Sequence, residues 1–166
     1  MGEKNMTTRI STNLARADEE IWHSYLMAAR LLFEELDRRL DSSAGLSLPD
    51  YTLLARLRDA GENGLRMSEL ADSAVFSRSR ISHAITRLEN QGWVERRSCP
   101  TDRRGSYAAL TDSGRDKLAE AEPIHSDVIK EHMLGSIEAG DAESFRRVTD
   151  QIGRSLGAKP DDPACG

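Results

Sequence analysis

Residues 67–97 read MSELADSAVFSRSRISHAITRLENQGWVERR, and their reading decides the fold. Met67 to Ala74 carries a helix of barely two turns, Val75-Phe76-Ser77 a break, and Arg78 to Gln91 a strongly helical run. Two helices flanking so short a turn are what a helix-turn-helix requires. Ser77 fits as N-cap of the second helix, since a serine hydroxyl accepts from the unpaired N–H groups of a first turn. Gly92 stands where a glycine ends a helix. On this second helix Ile81, Ala84, Ile85 and Leu88 form one apolar face. At about 100° per residue the opposite face carries Ser79, Ser82, His83, Thr86 and Arg87, with Arg80 at its edge.

Outward from this core, Trp93-Val94-Glu95-Arg96-Arg97 and Ser106-Tyr107-Ala108-Ala109-Leu110 read as two short strands. Pro100, Asp102, Arg103, Arg104 and Gly105 make a turn-rich cationic tip between them. Helix, short helix, turn, recognition-type helix and two-stranded wing together predict a mainly α fold with a small β-wing, a winged helix-turn-helix. On the N-terminal side, Ile21, Trp22, Tyr25, Ala29, Leu32, Phe33, Leu36 and Leu40 recur at helical steps and predict a long helix over 18–40. Asp18, Glu19 and Glu20 suit its first turn and Arg38 and Arg39 its last. Residues 42–47 read as a break. Pro49 then opens a shorter helix through Tyr51, Leu53, Leu54 and Leu57 that should stop at Gly61, with Glu62-Asn63-Gly64 a turn. On the C-terminal side Thr111 caps a long helix in which Leu118, Ala121, Val128, Ile129 and Met133 can face inward and Pro123 should introduce a bend. After a break at 135–140, Phe145, Val148, Ile152 and Leu156 define a last amphipathic helix, and 158–166 reads as a frayed tail.

The chain has 166 residues, one domain or two small ones, which argues against a multidomain enzyme. No apolar run approaches the roughly 20 residues of a membrane span, and residues 1–10 lack the apolar segment of a secretory signal, so the expected location is the cytoplasm. Cys99 and Cys165 stand alone, leaving no disulfide framework or four-cysteine zinc site. The net charge of −5 conceals a segregation. Residues 66–104 hold eight arginines and five acidic residues, a balance of +3, while the rest of the chain holds 15 basic and 23 acidic residues. Arginine suits phosphates and guanine edges because its planar fork donates two parallel hydrogen bonds.

Met67-Ser68-Glu69-Leu70-Ala71, the run from Ser79 through Leu88-Glu89-Asn90-Gln91-Gly92-Trp93-Val94-Glu95-Arg96, and Asp102-Arg103-Arg104 with Leu110-Thr111-Asp112-Ser113-Gly114 downstream resemble the MarR family of bacterial transcriptional regulators. The resemblance extends from about Asp18 to Leu156, and the wing pattern is its specific part. It implies a homodimer without a cofactor, in which 1–45 and 112–157 supply dimerisation helices, 46–111 is the DNA-binding lobe and 158–166 a flexible tail. It further implies a sequence-specific regulator, of repressor type, on a pseudo-palindromic operator, released by a small-molecule effector. Two apolar-faced terminal helices with little domain between them agree with a dimer.

On this reading Ser79, Arg80, Ser82, His83, Thr86 and Arg87 are candidates for the major groove, the alternative being a merely solvated helix face. Arg103 and Arg104 would meet the minor groove or its phosphates. The family pattern has Asp102 orient the wing arginine by an ion pair. Arg66, Arg78, Arg96 and Arg97 could contact phosphates or pair with Glu69 or Glu95, and both readings stand. Trp22, Tyr25, Phe33 and Tyr51 could line an effector pocket, or could be core. A metal site is not expected: His125 and His132 lie two helical turns apart, about 10.5 Å of rise, too far to share an ion without a third element. Cys99 lies beside the wing tip, but a redox role is not expected of it. No GxSxG, Walker-type or HExxH motif supports an enzyme. A winged helix used only for protein contact need not have the cationic tip seen here.

Overall fold

The computed structural model describes residues 14–73, 78–98 and 106–157. Helix α1 spans Arg16–Ala44, longer at both ends than its apolar period predicts. It runs through the expected break to Gly45, whose left-handed φ of 61° lets its N–H cap the carbonyls of Asp41 and Leu40. Arg38 and Arg39 therefore do not serve the last turn. Both reach back to Glu35, Arg38 with Nη2 at 2.7 Å and Arg39 with Nε at 2.5 Å. Two guanidinium partners hold the Glu35 carboxyl down at about 2.

Helix α2 covers Leu48–Asp59, with Ser47 Oγ accepting from Asp50 N and Pro49 in the first turn, where a missing N–H costs nothing. A short 3-10 turn, Gly61–Asn63, leads to a strand that the sequence did not announce, β1 (Leu65–Arg66). Helices α3 (Met67–Ser73) and α4 (Arg78–Asn90) follow, and the expected N-cap Ser77 lies outside the described residues. Strands β2 (Val94–Ser98) and β3 (Ser106–Leu110) complete a three-stranded antiparallel sheet of order β1-β3-β2. Its register pairs Val94 with Leu110, Ser98 with Ser106 and Arg66 with Tyr107. At Gly64 the chain comes so close to β3 that a Cβ would stand 2.1 Å from the Ala108 carbonyl oxygen.

Helix α5 spans Asp112–Val128 and continues through Pro123, with the departure from α-geometry falling later, in a π-helical turn at Ile129–Met133. A second 3-10 turn, Leu134–Ser136, precedes α6 (Ala142–Ser155). The π-turn is tied to α1 by Arg39 Nη1 on Glu131 at 2.9 Å and by Arg39 Nη2 against His132 Nε2 at 3.3 Å.

The core lies in the winged lobe, between α2, α3, α4, the sheet, the C-terminal end of α1 and the first half of α5. Leu40, Leu46, Leu54, Leu57, Leu70, Ile81, Ile85, Leu88 and Leu118 are fully buried there. Each contributes roughly 1.5–3 kcal/mol by leaving water. The outer parts differ. On α1 only Leu36, Leu40 and Ala44 are buried, while Ile21, Trp22, Tyr25 and Phe33 of the expected core face are exposed. Helix α6 buries nothing, and Phe145, Val148, Ile152 and Leu156 all face solvent in the single chain.

Tyr51 of α2 stacks on His125 of α5, ring centroids 4.5 Å apart, and burial lowers the His125 pKa below the usual histidine value. A histidine depressed in the fold stabilises the protein fully only above its unfolded pKa, and that share is lost as pH falls through the lower folded value. Stability should therefore fall as the pH drops below about 6.5. Replacing His125 with phenylalanine, which keeps a stacked ring without a titrating nitrogen, should flatten this dependence between pH 7.5 and 5. Chemical denaturation at both pH values measures it, and an unchanged slope would exclude His125 as its source.

Candidate nucleic-acid interface

Helix α4 is divided lengthwise. Ile81, Ile85 and Leu88 are buried against the lobe, Ala84 is half-buried, and Ser82, His83, Thr86 and Arg87 are exposed on the other side. The side chains of Arg78, Ser79 and Arg80, and the wing-tip residues Cys99, Asp102, Arg103 and Arg104, lie outside the described residues. The structure thus brings four of the six candidate groove residues onto one face.

Three of these positions are held by neighbours. Thr86 Oγ1 donates to the Ser82 carbonyl at 2.9 Å and accepts from Arg96 Nη2 at 2.9 Å. A hydroxyl has one proton and two lone pairs, so Thr86 is left with acceptor capacity only. Arg96, from β2, also donates to the Ser82 carbonyl at 3.2 Å and pairs through Nε with Glu89 at 3.3 Å. It braces α4 against the wing. Arg87 Nη2 donates to Asp50 Oδ1 at 2.5 Å, joining α4 to the first turn of α2.

Of the other arginines considered as phosphate ligands, Arg66 and Arg97 are engaged as well. Arg97 bonds Glu95 through Nε and Nη2 and the Glu62 carbonyl through Nη1, tying β2 to the turn before β1. Arg66 donates from Nε to the Tyr107 hydroxyl at 2.9 Å and lies 5.3 Å from the centre of that ring, while its backbone N–H reaches Glu69. Asp50, Glu62 and Tyr107 were not singled out by sequence reasoning. Their partners lie 35 to 41 residues away, and no local pattern signals such a pair. Between the start of α3, α4 and the sheet runs an open cleft of about 300 Å³ lined by Met67, Ser68, Ser82, Arg96 and Ser106.

The four candidate effector residues are not gathered in one chain. Trp22 and Tyr25 sit together on exposed α1, centroids 6.3 Å apart, and Phe33 is exposed further along it. Tyr51 is buried in the lobe on His125. His132 turns instead toward Arg39 and Glu131.

The segment 110–114 explains itself physically. Thr111 caps α5 by accepting from the Gly114 N–H at 3.0 Å, its hydroxyl donates to the Gly92 carbonyl at 2.6 Å, and its own N–H donates to the Trp93 carbonyl at 3.1 Å. The end of α4, the start of β2 and the start of α5 are thereby locked together, with Gly114 pressed against the Trp93 carbonyl.

A short helix, a second helix with a polar exposed face, and a sheet that braces that helix from the side define a winged-helix protein. A sequence model of the MarR family matches residues 44–105. The transcriptional regulator HosA of Escherichia coli O111:H- is 30% identical over 103 residues, covering 62% of this chain and 74% of HosA. Among solved structures, Sco3205 of Streptomyces coelicolor, a MarR family transcriptional regulator crystallised with DNA, superposes with a TM-score of 0.83 at 36% identity, over 91% of this chain and 97% of that one. AbsC, a MarR family regulator from the same organism, gives 0.82 at 31% identity, over 89% and 99%. This chain belongs to the MarR family of transcriptional regulators, a family of regulators and not of enzymes.

Proposed function

We propose that the protein binds a pseudo-palindromic DNA operator as a two-fold homodimer and represses transcription there. The observation that carries this reading is α4, whose apolar side is buried while Ser82, His83, Thr86 and Arg87 face solvent. It does so on a fold shared at 36% identity with Sco3205, which was crystallised with DNA. Repression is suggested by the MprA repressor of Escherichia coli K12, 25% identical over 127 residues, 76% of this chain and 70% of MprA. In this reading α4 enters the major groove with Ser79, Arg80, Ser82, His83, Thr86 and Arg87 toward the bases and their phosphates. Arg103 and Arg104 reach the minor groove, with Asp102 orienting them. Arg66, Arg78, Arg96 and Arg97 are peripheral, and the internal bonds of Arg66, Arg96 and Arg97 favour a bracing role.

The dimer reading rests on the apolar faces of the N-terminal part of α1 and of α6, which stand exposed among the described residues. Two-fold symmetry then sets the half-sites about one helical turn, roughly 34–36 Å, apart. In this arrangement residues 1–45 and 112–157 form the dimer region and 46–111 the DNA-binding lobe, and the partner would bring apolar surface toward Trp22, Tyr25 and Phe33. A small-molecule effector would bind between that region and the lobe. Such a regulator acts where bacterial DNA is, in the cytoplasm.

Selection from a random duplex pool, followed by titration of the recovered sequence over a salt series, tests the reading. An enriched inverted repeat and a steep salt dependence are expected, because each neutralised phosphate releases counterions. Absence of enrichment with weak, salt-insensitive binding would point to a module for protein contact. Arg104→Ala should weaken binding to the recovered duplex by about tenfold and lower the salt slope by about one. Unchanged binding would remove the wing from the interface.

A further inference from the structure

We propose that Asp50 is a positioning residue for DNA recognition, its buried carboxylate holding the Arg87 guanidinium at the surface of α4 in the orientation that meets the duplex. The proposal rests on α4 being the recognition helix. Asp50 is 7% exposed and is the one buried polar or charged side chain among the described residues. Its partner is the reverse: the Arg87 side chain is 54% exposed, yet its Nη2 lies 2.5 Å from Asp50 Oδ1. A charge is kept out of water only where a partner compensates it, so the lobe holds this carboxylate against Arg87.

The backbone of Asp50 is fixed from several sides. Ser47 Oγ accepts its N–H at 3.2 Å, and the start of a helix favours a carboxylate. The next residue, Tyr51, is buried and stacked on His125 of α5. Arg87 is thereby anchored to the lobe's interior rather than to a mobile surface neighbour. A guanidinium has five N–H donors in one rigid plane, and Asp50 engages one edge, so the remaining donors are presented in a set direction. An arginine ordered in advance gives up less side-chain freedom on binding, which favours the duplex whose groups meet that plane.

A bystander carboxylate near a DNA-facing helix repels phosphates, so removing its charge should tighten binding to every duplex. A positioning carboxylate predicts the opposite sign for the correct sequence. The experiment measures affinities of the full-length protein for the duplex recovered by selection and for a scrambled duplex of equal length and composition. Wild type, Asp50→Asn, Arg87→Ala and the double variant are compared, with thermal midpoints for each.

Asp50→Asn is expected to weaken the selected duplex about tenfold while the scrambled duplex binds as well or better, and to add no loss in the Arg87→Ala background. Tighter or unchanged binding of the selected duplex, or the same loss with and without Arg87, overturns the proposal. Should Asp50→Asn fail to fold, Arg87→Lys makes the same test from the exposed side, since it keeps the charge and discards the fork. It should lose affinity for the selected duplex only, and equal affinity would overturn the proposal. A wild-type protein that prefers no duplex would sink the reading of α4 itself, a result separate from any difference among the variants.

Discussion

Replacing Gly114 with alanine should cost about 3 kcal/mol or more, and lower the thermal midpoint by roughly 6–12 °C for a domain of this size. Helix propensity alone predicts the reverse, because alanine is favoured over glycine in a helix by about 1 kcal/mol. Space decides the sign. A Cβ at 114 would stand 2.0 Å from the Trp93 carbonyl oxygen, 2.9 Å from its carbon and 3.2 Å from Leu110 Cδ2. The carbonyl cannot simply retreat: it accepts the Thr111 N–H, while the Trp93 N–H is bonded to the Leu88 carbonyl at 3.0 Å. The methyl group must push α5 away from the end of α4, taking the Thr111 hydroxyl off Gly92. Thermal melting followed by circular dichroism is the measurement, and a variant as stable as wild type would refute the close packing. Gly64→Ala makes a companion test on the other side of the sheet, where a φ of +65° adds backbone strain to a 2.1 Å approach to Ala108.

The second large effect concerns assembly. If the protein is the proposed dimer, Val148→Asp combined with Ile152→Asp should yield an 18.4 kDa monomer and weaken binding to the selected duplex by about 10³-fold, since the second half-site is then no longer bound intramolecularly. Phe145, Val148, Ile152 and Leu156 follow one another at steps of three and four along α6, and every one is exposed in the single chain. An apolar stripe of this kind is buried in the working form of a protein or it promotes aggregation. The substituted positions make no contribution to the core of the lobe, so its melting should be nearly unaffected. Sedimentation equilibrium and operator titration read the two consequences separately. A variant that remains dimeric would place the dimer interface elsewhere, and one that binds the operator undiminished as a monomer would refute binding through two half-sites.

The legible part of this molecule is the part written in short-range pattern. The 3.6-residue period placed α2, α4 and α6 to within a few residues, and the turn residues around Gly92 and Gly105 bracketed β2 and β3. Strand β1 escaped because two residues carry no period; it exists by pairing with β3 at Leu65–Ala108 and Arg66–Tyr107. The extension of α1 to Ala44 escaped for a related reason. Its end is set by Gly45 in a left-handed conformation, while the polar run 41–43 reads equally well as loop. Pro123 does not interrupt α5, and the π-helical turn at 129–133, where Arg39 holds Glu131, carried no signal in the sequence.

By itself the sequence determined which faces are apolar, the order of the elements, the net positive balance of residues 66–104 and the polar face of α4, because each is read from composition or from spacing within a turn or two of chain. Only the tertiary structure decided what those side chains do. Arg87 is held by Asp50, Arg96 braces α4, Arg97 closes on Glu95 and Glu62, and Trp22, Tyr25 and Phe33 are left facing outward on α1. An amphipathic pattern specifies that a face must be covered, whereas the partner that covers or orients it is chosen by packing between residues tens of positions apart.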